Sequence, residues 1–182
     1  MTIPLETLEN ILESSLHQFL REDALEILDD VNERSSCGRL AMHMDRFARA
    51  HQLNGYHVDI EYNRKQNGLI KAILDGGERV IRINCDLILH SRGSSVAKDN
   101  LIAVEMKKVT RSALEKQSDR NRLCALTKRS FDDIWSNDGV THPEHVCGYR
   151  LGAFIQLDRK ERRCLVEYFQ DGRAIEERTY GF

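Results

Sequence analysis

The sequence predicts a mixed α/β fold, an α/β sandwich with a mixed central sheet. Apolar residues recur at helical spacing at the start and in the middle of the chain, and they alternate with polar residues at strand spacing between and after these segments. With 182 residues, 41% of them hydrophobic, the chain is long enough for one sizeable core and short for two. We therefore expect a single domain over residues 1–182.

Three helices are predicted before the first strand. Apolar residues at three- and four-residue spacing indicate an amphipathic helix over residues 5–20, and a second, short helix follows over residues 24–31. Asn32 can cap a third helix, in which Glu33 occupies the first turn. The glycine and asparagine near residues 53–55 should end it.

The N-terminal segment is strongly acidic. Residues 1–33 hold nine acids and a single base, Arg21, although the formal charge of the whole chain is only −2, so the rest of the chain carries a positive excess. We expect residues 1–31 to form an acidic helical extension whose apolar stripe packs on the core or on a second subunit, in a homodimer or with another protein partner. Its outer face would repel nucleic acid, whereas the positive excess elsewhere is compatible with binding it.

Strand patterns follow the helices. Residues 56–62 alternate between apolar and polar, and residues 64–79, which are polar and rich in glycine, are interpreted as a connection. Residues 81–90 predict a second strand with Asp86 on its polar face, and residues 101–107 predict a third. The short segment between these two strands suits an antiparallel pair.

A fourth helix and an antiparallel meander complete the pattern. Asp171 and Gly172 are a strong hairpin signal between the last two strands, so residues 158–182 are expected to form a C-terminal β-hairpin. The predicted bounds are 112–128 for the helix and 149–157, 164–169 and 173–180 for the strands.

The sequence carries no sign of export or of membrane insertion. No stretch approaches the roughly 20 apolar residues that span a bilayer, and the N-terminus lacks the basic start and apolar run of a signal peptide. The chain has five cysteines, an odd number without CxxC spacing, which fits reduced thiols better than a disulfide framework. We therefore expect a cytoplasmic protein without a membrane partner.

Three charged residues of the central strands form a candidate centre for chemistry. Glu105 and Lys107 share one face of their strand, and an antiparallel neighbour would bring Asp86 to the same face. They interrupt an apolar run typical of a buried strand, where charges are costly. Two carboxylates suit Mg²⁺ or Mn²⁺, which assist phosphodiester hydrolysis, and an ammonium can hold water or stabilise developing charge. An ordinary surface strand whose charged residues form ion pairs across strands would show the same sequence pattern.

The arrangement of these residues resembles the PD-(D/E)XK nuclease superfamily. The resemblance rests on Asp86, on Glu105-Met106-Lys107 and on the preceding helix with Glu33. It implies a restriction-endonuclease-like αβββαβ core over residues 32–157, with the helical extension before it and antiparallel strands after it. Further blocks that fit are Asn32 to Ser35, Arg39 to Ala41, His57 to Arg64, Cys85 to His90, and Asp119 to Thr127.

The resemblance also implies a role for each residue. Asp86 and Glu105 would hold Mg²⁺ or Mn²⁺ together with the backbone carbonyl of Met106. Lys107 would be the catalytic lysine, and Glu33 would serve as an auxiliary acid in the catalytic set.

Two positions depart from the pattern of that superfamily. Cys85 stands where its name places a proline, which shapes the backbone and does no chemistry. Arg122 stands where similar proteins often have lysine. A phosphate contact survives this change, but a titrating role does not.

Other residues are weaker candidates. Lys108, Arg111 and Arg122 could follow a nucleic-acid backbone, and His90, on the face of Asp86, could contact phosphate, but a solvated helix and an ordinary strand-end histidine explain them as well. Asp59 and Glu61 lie on a wet strand face, where Glu61 is either a metal ligand or a solvated acid. The segment from His142 to Cys147 is dense in metal-binding residue types, although no second ligand pair accompanies it.

The sequence therefore predicts an Mg²⁺- or Mn²⁺-dependent nuclease, a hydrolase that cuts nucleic acid internally, with DNA favoured over RNA. One alternative is a catalytically silent nuclease-like module that binds nucleic acid or a protein partner. Another is a structural or interaction protein in which these charges are incidental.

Overall fold

The computed structural model describes residues 3–61, 72–75, 79–82, 85–95, 99–128 and 147–182. In these ranges the protein is a mixed α/β fold, in which helices pack on a six-stranded mixed sheet. The predicted fold class is confirmed at this level. No helix within the described ranges has the length and apolar character needed to cross a membrane.

The predicted helices are all present. They are α1 (Leu5–Glu22), α2 (Ala24–Leu28), α3 (Glu33–Ala50) and α4 (Ala113–Thr127). Asn32 caps α3 as expected, because its side chain accepts a hydrogen bond of 2.8 Å from the Ser35 amide. At the start of α4, Ser112 and Glu115 form a capping box.

The strands lie in two sheets. They are β1 (His57–Ile60), β2 (Ala72–Asp75), β3 (Arg79–Arg82), β4 (Leu87–His90), β5 (Asn100–Lys108), β6 (Leu151–Asp158), β7 (Arg163–Gln170) and β8 (Arg173–Gly181). The main sheet has the order β1-β4-β5-β6-β7-β8, and β2 pairs with β3 alone. In the main sheet β5 and β6 run parallel, whereas the other neighbours are antiparallel.

Two strand predictions are wrong. Residues 72–75, interpreted as connection, form β2, and the single strand expected over residues 81–90 belongs to two strands. β3 ends at Arg82 and pairs with β2, whereas β4 begins at Leu87 and pairs with β5. The alternating pattern misled because it reports the two faces of a strand and does not reveal with which neighbour the strand pairs.

The meander and its hairpin are confirmed. β6, β7 and β8 are successive antiparallel neighbours. Asp171 and Gly172 join the last two strands with φ angles of 51° and 79°, as a two-residue turn of type I′ requires.

The two faces of the main sheet carry separate apolar cores. One face packs against α1 and α3, and α1 contributes Leu8, Leu12 and Leu16, each without solvent exposure. The other face packs against α4 through residues such as Leu123 and Phe154. The apolar stripe of the acidic extension therefore packs on the core of its own chain.

Candidate active site

β5 divides its side chains between the two faces of the sheet. Ile102, Val104 and Met106 enter the core beneath α1 and α3. Because side chains alternate along a strand, Glu105 and Lys107 point to the face that α4 covers. Glu105 has no solvent exposure, which confirms that a buried strand carries this acid.

Asp86 is held against β5 by its neighbours. It immediately precedes Leu87, which lies opposite Val104 in the antiparallel β4–β5 pair. Its Oδ2 accepts hydrogen bonds from the amide of Met106 at 2.9 Å and from Nζ of Lys107 at 3.1 Å. The expected antiparallel pair is thus present, and it brings Asp86 and Lys107 into direct contact.

α4 adds an acid and a base to this group. Nη1 of Arg122 donates to Oε1 of Glu105 and, at 3.0 Å, to Oδ1 of Asp119. Oδ2 of Asp119 lies 3.2 Å from Nζ of Lys107. Asp86, Glu105, Lys107, Asp119 and Arg122 therefore form one connected cluster, which we call the charged centre.

The charged centre shifts the protonation of its members. Burial raises the pKa of Glu105 well above its usual value, the charge of Asp86 raises it further, and Arg122 offsets this in part. Burial alone would lower the pKa of Lys107, but the surrounding carboxylates, led by Asp86 and Asp119, outweigh burial and raise it. Lys107 is therefore an ammonium cation at neutral pH.

One carboxylate oxygen of Glu105 has no partner in the part of the chain that the structure describes. Oε2 of Glu105 is buried and accepts no hydrogen bond from a described residue, whereas Oε1 is bound by Arg122. A buried acceptor left in this state costs free energy unless another group satisfies it. The charged centre thus contains a specific position at which a donor or a cation would be stabilised.

Glu33 and two of the predicted nucleic-acid contacts lie beside the charged centre and bind one another. Glu33 accepts from the amide of Lys108 at 3.0 Å and pairs with two nitrogens of Arg111, each at 2.9 Å. Nζ of Lys108 lies 2.8 Å from a carboxylate oxygen of Asp30. Burial raises the pKa of Glu33, but the hydrogen bonds from Arg111 and Lys108 outweigh it and leave the pKa below its usual value. These contacts place Glu33 in an ion pair at the edge of the site.

The remaining predicted residues near β1 serve other contacts. His90 is 1% exposed, and its Nε2 lies 2.8 Å from Asp59. Asp59 also pairs with Arg92, and Glu61 lies 3.3 Å from Arg34. The structure thus brings His90 and Asp59 together and does not place either in the charged centre.

The two sequence predictions that involve cysteines have different outcomes. Residues 142–146 of the possible metal segment lie outside the described residues, and Cys147, which follows them, is buried. Cys85, at the position of the superfamily's proline, is also buried, and its Sγ donates to the carbonyl of Val104 at 3.1 Å. Its thiol therefore ties the start of β4 to β5.

Asp119 is the member of the charged centre to which sequence reasoning gave no role. A signal was present, because Asp119 precedes the buried Leu123 and Leu126 by four and seven positions and so lies on the same face of α4. An acid that interrupts the buried stripe of a helix needs a partner inside the fold. The sequence could not say that this partner would be Lys107, because the docking of α4 decides it.

The donor set is compatible with a hard divalent cation. Asp86, just before β4, and Glu105 of β5 supply carboxylate oxygens, and Oε2 of Glu105, which has no partner among the described residues, is available as a ligand atom. In the described part of the chain, no three His, Cys, Asp or Glu side chains form a metal-binding group. Mg²⁺ often takes only one or two carboxylates and keeps water as its other ligands, so two acids suffice.

What the charged centre does must be inferred from its own geometry. Neither a protein-family model nor a curated protein nor a solved structure matches this chain.

Proposed function

We propose that the protein is a metal-dependent nuclease of the restriction-endonuclease-like type, which hydrolyses phosphodiester bonds within nucleic acid, with DNA favoured over RNA. The observation that carries the proposal is Glu105, a fully buried acid with one oxygen that has no partner among the described residues, near Asp86 at the start of the neighbouring strand. Burying a carboxylate whose charge is not fully compensated costs several kcal/mol of folding free energy. Such costs are concentrated at functional sites.

Asp86, Glu105 and the carbonyl of Met106 would hold the cation, Mg²⁺ or Mn²⁺. When bound, the cation would neutralise charge on the phosphoryl group and make a coordinated water more acidic. Arg122 compensates part of the charge of Glu105 and fixes its Oε1, which leaves Oε2 as the free ligand atom.

Lys107 contributes a positive charge. Because neighbouring carboxylates raise its pKa, it stays protonated and does not act as a general base. Its ammonium group is suited to donate hydrogen bonds to a phosphate oxygen or to stabilise charge on the leaving oxygen. It also orients Asp86, to which it donates at 3.1 Å.

The order of elements supports the same proposal. Among the described residues, the elements occur in the order α3, β1, β4, β5, α4 and β6, apart from the separate β2–β3 pair. This is the αβββαβ order that the sequence resemblance implies.

The test is a cleavage assay with supercoiled plasmid, linear duplex, single-stranded DNA and RNA, each with Mg²⁺, Mn²⁺ or EDTA. We expect cleavage of at least one substrate that depends on the divalent ion. Glu105→Gln and Lys107→Ala should each lower the rate by about 10²–10⁴-fold, because each removes a charge that acts in the reaction.

Glu167→Gln, purified in the same way, is the matched control. Glu167 is a partly buried acid of β7 that accepts a hydrogen bond of 2.8 Å from Arg120 of α4. It lies outside the charged centre and should be dispensable for cleavage. Equal cleavage by Glu105→Gln and the unaltered protein would refute the proposal. Nucleic-acid binding without any cleavage would instead favour the silent module.

A further inference from the structure

We infer that Asp119 is a positioning residue, which holds Lys107 and Arg122 in the arrangement that cleavage needs. The inference rests on the proposed function and assigns a task to a residue for which the sequence predicted none. Asp119 does not need to touch the substrate to perform it.

Asp119 is the contact that links the two cations of the charged centre. Its side chain is only 6% exposed, Oδ1 accepts from Arg122 at 3.0 Å, and Oδ2 lies 3.2 Å from Nζ of Lys107. Lys107 in turn binds Asp86, and Arg122 binds Glu105. Each candidate metal ligand is therefore connected to Asp119 through one cation.

The position of Lys107 depends on a balance between two carboxylates. Its Nζ lies 3.1 Å from Asp86 and 3.2 Å from Asp119, so the two attractions are nearly equal. A lysine side chain is long and flexible. Lys107 already donates to Asp86, and its Nζ also donates to the carbonyl of Met106 at 3.1 Å. Without the charge of Asp119, the ammonium would be held by these two candidate ligands and would compete more strongly with a cation for their oxygen atoms.

Asp119 also contributes to the net charge of the charged centre, and this charge affects how strongly the centre attracts a cation. Three acids and two bases leave an excess of one negative charge when all are ionised, which favours a divalent cation. Removing the charge of Asp119 would cancel that excess. Asp119 therefore supports the centre both by geometry and by charge.

Asp119 is not needed merely to dock α4 on the sheet. α4 has other anchors on the sheet, because Arg120 forms hydrogen bonds of 2.8 and 3.0 Å with Glu167 and lies 4.3 Å from the ring centre of Phe154. Leu123 and Leu126 of α4 are completely buried against the sheet. The helix can therefore remain docked without Asp119.

The experiment compares Asp119→Asn, Asp119→Glu and Glu167→Gln on the nucleic acid that the unaltered protein cuts. Asp119→Asn should lower kcat by about 10²-fold, the usual effect of a misplaced group, while KM for the nucleic acid stays within about twofold. Asp119→Glu, which keeps the charge, should recover part of kcat. Glu167→Gln, which removes an anchor of the same helix, should leave kcat unchanged.

Two kinetic outcomes would overturn the inference: an unchanged kcat for Asp119→Asn, or an equal loss for Glu167→Gln. Crystal structures of the unaltered protein and of Asp119→Asn give a readout that does not depend on activity. Nζ of Lys107 should move by about 1 Å or more, the scale at which positioning matters. An unmoved Lys107 refutes positioning even if the protein cuts nothing, whereas absence of cleavage by the unaltered protein refutes only the proposed nuclease.

Discussion

Asp59 and Glu105 are both shielded acids, but their surroundings give them opposite properties. Burial raises the pKa of Asp59, yet hydrogen bonds from Arg92 and His90 outweigh it and leave the pKa below its usual value. Burial and a neighbouring acid raise the pKa of Glu105 in spite of Arg122. Asp59 is therefore satisfied as a charged, structural group, whereas Glu105 keeps a need for positive charge.

The structural role of Asp59 predicts a pH-dependent stability difference. Its folded-state pKa is below the ordinary value of 3.8, so its charge stabilises the fold above that value and the stabilisation is lost as the pH falls through the folded-state pKa. At pH 7, Asp59→Asn should lower the free energy of unfolding by about 1–3 kcal/mol, since it removes hydrogen bonds to charged groups. Urea denaturation at several pH values measures this difference, which should shrink below about pH 4.

Asp45→Asn is the control for this pH series. Asp45 pairs with Arg49 one helical turn away on the exposed side of α3, and such pairs contribute at most about 0.5 kcal/mol. A loss in Asp59→Asn that was as large at pH 3 as at pH 7 would contradict the assigned role.

The residues of the charged centre were predictable to different degrees. Glu105 and Lys107 could be assigned to one strand face because alternation is a local property of the chain. The contacts of Asp119 and Arg122 could not, since they depend on how α4 docks. The ion pairs of Lys108 and Arg111 were missed because their partners, Asp30 and Glu33, lie 78 positions earlier in the chain.

At the scale of elements, α4 packs closely on β6 at Gly152. A Cβ atom there would lie 2.9 Å from Cγ2 of Thr127 and 3.0 Å from Cβ of Phe169. Thr127 is held in turn by a hydrogen bond of 2.9 Å to the carbonyl of Leu123, and Phe169 is part of the neighbouring strand. The close packing of α4 on β6 therefore requires glycine, which has no side chain, at position 152.

Gly152→Ala should consequently destabilise the fold by about 1–3 kcal/mol, the usual cost of overpacking. The free energy of unfolding in urea measures the effect. Gly55→Ala is the control, because a Cβ at Gly55 meets no atom within 4 Å; it should change the stability by less than about 0.5 kcal/mol. Similar stabilities for both variants would show that α4 is more loosely seated.

Elements with strong local patterns were predicted well. The helix cap at Asn32, the buried run of β5 and the Asp171-Gly172 turn each depend on a few adjacent residues. The division between β3 and β4 was missed because it is a matter of pairing between strands. Nothing local to residues 81–90 distinguishes one long strand from two that belong to separate sheets.

At the scale of the whole molecule, the acidic extension belongs to the main core. Leu8, Leu12 and Leu16 of α1 share one apolar cluster with Val104 and Met106 of β5. The strand that carries Glu105 and Lys107 is thus supported by residues near the start of the chain. Asp30 of the extension also reaches the edge of the site, where it pairs with Lys108. Glu33, which follows the extension, pairs with Arg111.

Leu12→Ala should therefore destabilise the sheet together with the extension. Truncating a completely buried leucine costs about 2–5 kcal/mol, and α1 and β5 should unfold in one transition. Circular dichroism reports the helices, and hydrogen exchange of the β5 amides reports the sheet. Leu25→Ala, at a position 74% exposed on α2, should change the stability by less than about 0.5 kcal/mol. Unaltered protection of β5 in Leu12→Ala would mean that the extension is an independent unit.

The register of β4 against β5 couples the stability of the fold to the assembly of the charged centre. Leu87 lies opposite Val104, and Ile88 lies opposite Ala103. A slip of one residue would turn Glu105 and Lys107 into the apolar layer beneath α1 and α3, and it would expose Met106 to the charges of α4. A mispaired chain would lose its stability and its charged centre in the same event. In a population of molecules, the fraction with an assembled centre therefore cannot exceed the fraction that has paired these strands correctly.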